Sequence, residues 1–194
     1  MNEWIERNIE YTLVDAPSQF SIDFAGMKFQ KSDLEALQPK FERAAREMAR
    51  IEAGEIKNPD EHRKVTHFSD RKKYPASELF ASVEAFAEEV RSGRIKGETG
   101  RKFEAVVVNG IGGSALGPQL MQFAINGPYW NEKSDAKRNG YLKIYFLDNT
   151  DSAEFADLVE VMDPEVTLHL VISKSGGTQE TKNNMIAMES LYAA

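Results

Sequence analysis

The chain has 194 residues, 41% hydrophobic and 28% charged, with a formal net charge of -7 and no cysteine. This is long enough for one domain with a true core, or for a domain plus an arm, and the composition is that of an ordinary water-soluble chain. The acidic balance argues against a nucleic-acid footprint, the missing thiols exclude disulfides, thiolate metal ligands and a cysteine nucleophile, and no apolar run has signal-peptide or membrane-span length.

Residues 1–30 read as irregular, with short strands at 11–14 and 20–24 on either side of Pro17. Residues 32–53 predict a helix, because Leu34, Leu37, Phe41, Ala44, Met48 and Ile51 recur every three to four positions. Ser32 and Glu35 have capping-box spacing, and Gly54 is a stop signal. Pro39 leaves two readings open: one helix, or a short turn followed by a helix from Pro39 onward. The polar run from Asn58 to Arg63 reads as a loop. A further helix follows Pro75, with Leu79, Val83, Phe86 and Val90 on one face and Gly93 and Gly97 after it.

Beyond Phe103 the texture changes to alternating strands and helices. Residues 105–109 form a short apolar run, as in a strand buried on both faces. Residues 117–125 predict a helix with Pro118 in its first turn, and 126–140 a polar loop. In that loop the mixed charges from Lys133 to Arg138 read as solvated surface. A second strand at 141–147 precedes a helix capped by Asp151 and Glu154 and carrying Phe155, Leu158 and Met162. A third strand at 166–172 precedes a last helix at 178–192. The expected fold is therefore α/β, a doubly wound parallel sheet after a mainly helical arm, with the arm at 1–99 and the domain at 100–194. Such sheets usually have about five strands. This one stops after three, so it reads as truncated, with an apolar open edge at residues 168–172.

Two loops carry the chemistry. The first is Asn109-Gly110-Ile111-Gly112-Gly113-Ser114-Ala115-Leu116-Gly117-Pro118, and the second is Ser173-Lys174-Ser175-Gly176-Gly177-Thr178-Gln179-Glu180-Thr181. Each leads from an apolar strand into a helix. Glycine permits a tight turn and close approach, and the helix start offers free N–H groups and partial positive charge, so each loop can seat a phosphate. Ser173, Ser175 and Thr178 can add hydroxyls to the backbone N–H groups around phosphate oxygens; the same residues could simply cap a helix and turn the chain. In the usual doubly wound order the first strand lies between the other two, and both loops line one crevice at the switch point. Gly110, Gly112 and Ala115 also fit a dinucleotide fingerprint, but the acid at the second strand's end, Asp148, is much further along than that site requires. No Walker A pattern occurs.

The remaining candidates are weaker. His62 and His67 are five apart, which does not bring two ligands onto one helical face, and His169 reads as a core histidine with a bonded ring nitrogen. No metal site is expected. Lys174 could contribute its ammonium or only its backbone, with the backbone favoured. Glu180 reads as a first-turn acid facing the helix dipole.

The order and spacing of the two loops, with Phe146-Leu147-Asp148-Asn149-Thr150-Asp151 between them, resemble the glucose-6-phosphate isomerase family and, more broadly, the sugar-isomerase (SIS) domain. The upstream stretch from Asn58 to Phe68 is similar to that family's N-terminal segment. The resemblance runs from about residue 55 onward. Ala115 departs from it, standing where many members carry an acid.

The resemblance implies a flavodoxin-like domain, a cytoplasmic location and a role in glycolysis and gluconeogenesis. It implies interconversion of glucose 6-phosphate and fructose 6-phosphate with no metal and no organic cofactor. Gly113 and Ser114 would contact the sugar. Ser173, Ser175 and Thr178 would bind its phosphate, helped by the backbone at Lys174, and Glu180 would support these residues without being the base. The family's base, ring-opening histidine and lysine, and charge-stabilising arginine would lie beyond Ala194, so no catalytic residue is assigned and the chain alone is expected to be inactive. The implied partners are a small sugar phosphate and a second subunit in a homodimer, with neither nucleic acid nor membrane. The rival reading is a non-catalytic phosphosugar-binding module of a regulator.

Overall fold

The computed structural model describes residues 2–57, 59–60 and 62–193. They divide into two compact units, Met1–Ser69 and Asp70–Ala194.

The first unit opens with α1 (Glu3–Glu10), where an irregular segment was expected. Asn2 caps this helix, its side chain accepting the Trp4 N–H at 3.1 Å. The strands β1 (Thr12–Asp15) and β2 (Phe20–Asp23) follow as an antiparallel hairpin with Leu13 opposite Ile22. Arg7 ties the helix to the segment after the hairpin: its guanidinium donates to the Ala25, Met27 and Phe29 carbonyls and lies over the Tyr11 ring, 4.6 Å from its centroid. Next, α2 (Lys31–Glu52) runs without interruption through Pro39. A proline inside a helix removes one hydrogen bond and crowds the preceding turn; the long apolar stripe and good helix formers on both sides outweigh that loss. The cap is not the Ser32–Glu35 pair. It lies two residues earlier, where the Gln30 N–H donates to the Asp33 carboxylate at 2.8 Å.

A short helix that the sequence pattern did not reveal, α3 (His67–Lys73), bridges the division. In the second unit α4 (Glu78–Ser92) starts where Ser77 Oγ accepts the Phe80 N–H, and it ends at left-handed Gly93. Three strand–helix units then follow: β3 (Ala105–Asn109) with α5 (Gly113–Asn126), β4 (Lys143–Leu147) with α6 (Ser152–Val161), and β5 (Thr167–Val171) with α7 (Gln179–Tyr192). The sheet is parallel in the order β4–β3–β5, with Val107 opposite both Tyr145 and His169. The α/β fold with a parallel sheet and a helical N-terminal part thus matches expectation. All of β3 is buried, as its unbroken apolar run predicts. On one face Val107 and Leu147 pack against Leu158 and Met162 and against Met188 of α7.

The two outer strands differ. The Asn131 side chain pairs with β4 as a strand would, accepting the Ile144 N–H at 2.9 Å and donating to the Ile144 carbonyl at 2.8 Å. Trp130 Nε1 donates to the Leu142 carbonyl just before that strand. At the opposite side β5 is the last strand of the sheet among the described residues.

Two local expectations fail here. The helix α5 begins at Gly113, four residues before the expected start, so Pro118 falls in its second turn. Arg138 is buried and donates to the Lys133 and Tyr141 carbonyls, so it does not belong to a solvated run. A side chain with five N–H donors can close a loop by bonding its carbonyls, which charge patterning does not show. No helix among the described residues is long and apolar enough to cross a membrane.

Candidate functional site

Both glycine loops leave the C-terminal ends of adjacent strands, β3 and β5, at the point where the strand order reverses. That is the position at which open α/β sheets form a ligand crevice. The end of β3 is held from both sides: the Ile172 N–H donates to the Asn109 carbonyl at 2.8 Å, and the Gly110 N–H donates to the Leu147 carbonyl at 3.3 Å. Gly110 is where the loops touch. A Cβ there would come 2.9 Å from Ser114 Cβ, closer than such carbons approach, and 3.1 Å from the Ile172 carbonyl oxygen, a tight contact. Any larger residue would force a shift.

In the first loop Gly112 precedes α5, and Gly113 and Ser114 form its first turn. A Cβ on Gly113 would meet nothing within 4 Å. In the second loop the structure brings the expected hydroxyls together. Ser173 Oγ lies 3.1 Å from Thr178 Oγ1 and accepts the Gly176 N–H at 3.1 Å. Ser175 Oγ accepts the Gly177 N–H at 3.0 Å. Gly176 has φ +69°, the conformation that turns the chain back toward α7. Thr178 stands at the N-cap position of α7 without a side-chain capping bond, so its hydroxyl is not spent on the helix.

A hydroxyl has one proton and two acceptor sites. Ser175 therefore keeps its proton while accepting a glycine amide. The Ser173–Thr178 pair shares one proton internally and keeps the other. Two O–H donors on a fixed loop at the start of a fourteen-residue helix can bind an anion. The charges agree. Asp148, Asp151 and Glu154 gather beyond β4, and burial, then Asp148 and Asp151, push the Glu154 carboxyl above its usual value. The stretch from Ile172 to Gln179 beyond β5 contains no acid and includes Lys174.

The family description "Phosphoglucose isomerase" matches residues 23–194, a span that includes both loops. The chain belongs to the phosphoglucose isomerase family. It is 37% identical to the glucose-6-phosphate isomerase of Synechococcus elongatus over 199 residues, covering 97% of this chain and 36% of that protein. It is 39% identical to the Acaryochloris marina protein of the same name over 182 residues, covering 88% and 32%. A crystal structure of a glucose-6-phosphate isomerase from Chlamydia trachomatis superposes with a TM-score of 0.60 at 29% identity, covering 97% of this chain and 37% of that one. The chain thus spans about a third of the length of the curated relatives it matches.

The other sequence candidates have these places. Glu180 is in the first turn of α7. His67 opens α3 with its ring 4.1 Å from that of Phe68. Asn58 and Glu61 lie outside the described residues. His169 is half-buried on β5, and its buried Nε2 has no hydrogen-bond partner among the described residues, where a bonded ring nitrogen was expected. Burial pushes the imidazole pKa down, favouring the neutral ring. The sequence puts Gly110 in the first glycine loop but does not reveal its contact with Ile172, and it gives Asn109 no role of its own. The available signal was an amide and a glycine ending an otherwise apolar strand.

Proposed function

We propose that this chain is the N-terminal, phosphate-binding part of a glucose-6-phosphate isomerase, the cytoplasmic enzyme that interconverts glucose 6-phosphate and fructose 6-phosphate. The observation that carries the reading is the second loop, where Ser173, Ser175 and Thr178 are held around Gly176 and Gly177 at the start of α7. These three hydroxyls and the backbone at Lys174 bind the sugar's phosphate. Gly113 and Ser114, across the Gly110 contact, meet the sugar itself. Glu180 supports the phosphate loop from the helix behind it. Residues 1–99 form an arm and 100–194 the SIS-type domain, and the whole enzyme works as a homodimer without metal or organic cofactor.

The isomerisation moves a proton between two sugar carbons, and a positioned base usually gives about 100-fold to 10,000-fold in rate. In this reading that base, and the ring-opening and charge-stabilising groups, belong to the other two thirds of the enzyme's length. The chain alone then binds sugar phosphate without converting it. Calorimetric titration with fructose 6-phosphate, alongside a coupled assay for glucose 6-phosphate, tests this. Binding without turnover is the expected result. Robust turnover would show that the base lies within the chain, and absence of binding would remove the phosphate seat.

A further inference from the structure

Asn109 is the last residue of β3 and is fully buried. Its backbone and side chain both reach the segment that carries the second loop. The carbonyl accepts the Ile172 N–H at 2.8 Å, where the chain leaves β5. The side-chain amide donates to the Thr181 carbonyl at 3.0 Å, in the first turn of α7. One residue, directly before Gly110, is thus bonded just before the second loop and just after it. Thr181 is also buried.

As a stabilising device this amide is a poor choice. Asn109 Oδ1 is buried and has no hydrogen-bond partner among the described residues, and the same holds for Thr181 Oγ1. An unsatisfied buried polar atom opposes folding, whereas an apolar side chain of similar shape can be nearly neutral. The carbonyl it binds lies inside a helix, where the backbone ladder already supplies a donor. What the amide adds is direction: it fixes how far the start of α7 stands from the end of β3.

We propose that Asn109 is a positioning residue that sets the spacing between the Gly113–Ser114 loop and the Ser173–Thr178 loop. The inference rests on the phosphosugar reading above. A ligand that spans both loops depends on that spacing, and a ligand that occupies only the second loop does not.

The test compares fructose 6-phosphate, which spans both loops, with inorganic phosphate, which fills one. Asn109→Leu keeps the volume and removes the amide. In the 194-residue chain it should weaken fructose 6-phosphate roughly 10-fold, a single hydrogen bond's worth, and change phosphate affinity by less than about threefold. Asn109→Gln, which restores an amide, should recover part of the loss. Thermal melting should change little. Equal weakening of both ligands, or of neither, overturns the proposal. Amide hydrogen exchange without ligand provides an independent arm: exchange at Gly176–Lys182 should rise in Asn109→Leu while β3 and β4 stay protected. If the wild-type chain binds neither ligand, the phosphosugar reading fails, and this exchange pattern alone decides whether Asn109 fixes the loop. Should Asn109→Leu not fold, Asn109→Val carries the same comparison, and unchanged exchange in a folded variant overturns the inference.

Discussion

Ser173 Oγ and Thr178 Oγ1 stand 3.1 Å apart at the two ends of the turn that joins β5 to α7. Neither hydroxyl caps the helix by a side-chain bond, and Ser173 holds the Gly176 amide in place instead. The turn is therefore shaped by the same atoms that would meet a ligand.

Removing those atoms should cost affinity more than stability. A hydrogen bond to a charged group is worth about 1.5–3 kcal/mol. Thr178→Ala and Ser175→Ala should each raise the dissociation constant for fructose 6-phosphate about 10-fold or more. Ser173→Ala should do at least as much, because it also releases the Gly176 N–H. Calorimetric titration decides it, and three unchanged constants would overturn the assignment.

Two glycines of the first loop should behave oppositely. At Gly110 a methyl group would press on Ser114 and the Ile172 carbonyl, and overpacking of this kind costs about 1–3 kcal/mol. Gly110→Ala should lower the melting temperature by about 2–4 °C per kcal/mol. At Gly113 the methyl group meets open space in the first turn of α5. Gly113→Ala should leave the melting temperature unchanged or slightly raised, while weakening sugar phosphate binding if the sugar approaches that backbone. Equal melting shifts for the two variants would contradict the packing at Gly110.

His169 should make stability fall in mild acid. Burial holds its pKa in the folded chain below the usual 6.5. Under pH 6.5 the unfolded chain then takes up a proton that the folded chain refuses, and stability declines until pH reaches the lowered folded value. Above 6.5 the contribution is constant. Thermal melts from about pH 8 to about pH 5 should show this decline, and His169→Leu should flatten it. An identical pH profile in the variant would assign the slope to other groups.

The sheet's terminal strand should make the chain associate. Val171, the last residue of β5, is 43% exposed and Ile172, just beyond it, 37% exposed, on the last strand of the sheet among the described residues, and an open apolar edge recruits partners. Sedimentation velocity at several concentrations should show a concentration-dependent mass. A monomer at all concentrations, with cooperative unfolding, would mean that this edge is protected.

The features legible in the sequence were those set by long apolar patterns. The Ala105–Asn109 strand was found with its observed bounds because burial on both faces leaves no polar residue until Asn109. Asp151 marks its helix start through a side chain that does accept a backbone N–H group. The central place of β3 follows from the handed winding of successive strand–helix units. Features that depend on one local choice were not legible. The helix α1 is only eight residues long, so its apolar stripe of Trp4, Ile5 and Ile9 is too brief to stand out from an irregular segment. The cap at Gln30 and Asp33 competes with an equally good pattern two residues later. Arg138 is buried because loop carbonyls turn toward it, and no spacing rule encodes that. For the site, the hydroxyl cluster was legible, but the Gly110 contact needed the strand order to bring Ile172 beside it.

The Asn131 side chain makes the sheet asymmetric at its margins. By occupying the N–H and carbonyl of Ile144, and with Trp130 on the Leu142 carbonyl, the loop after α5 takes up hydrogen-bonding groups that a further strand beside β4 would need. That margin is closed locally by the chain's own side chains, and a strand could add there only by displacing them.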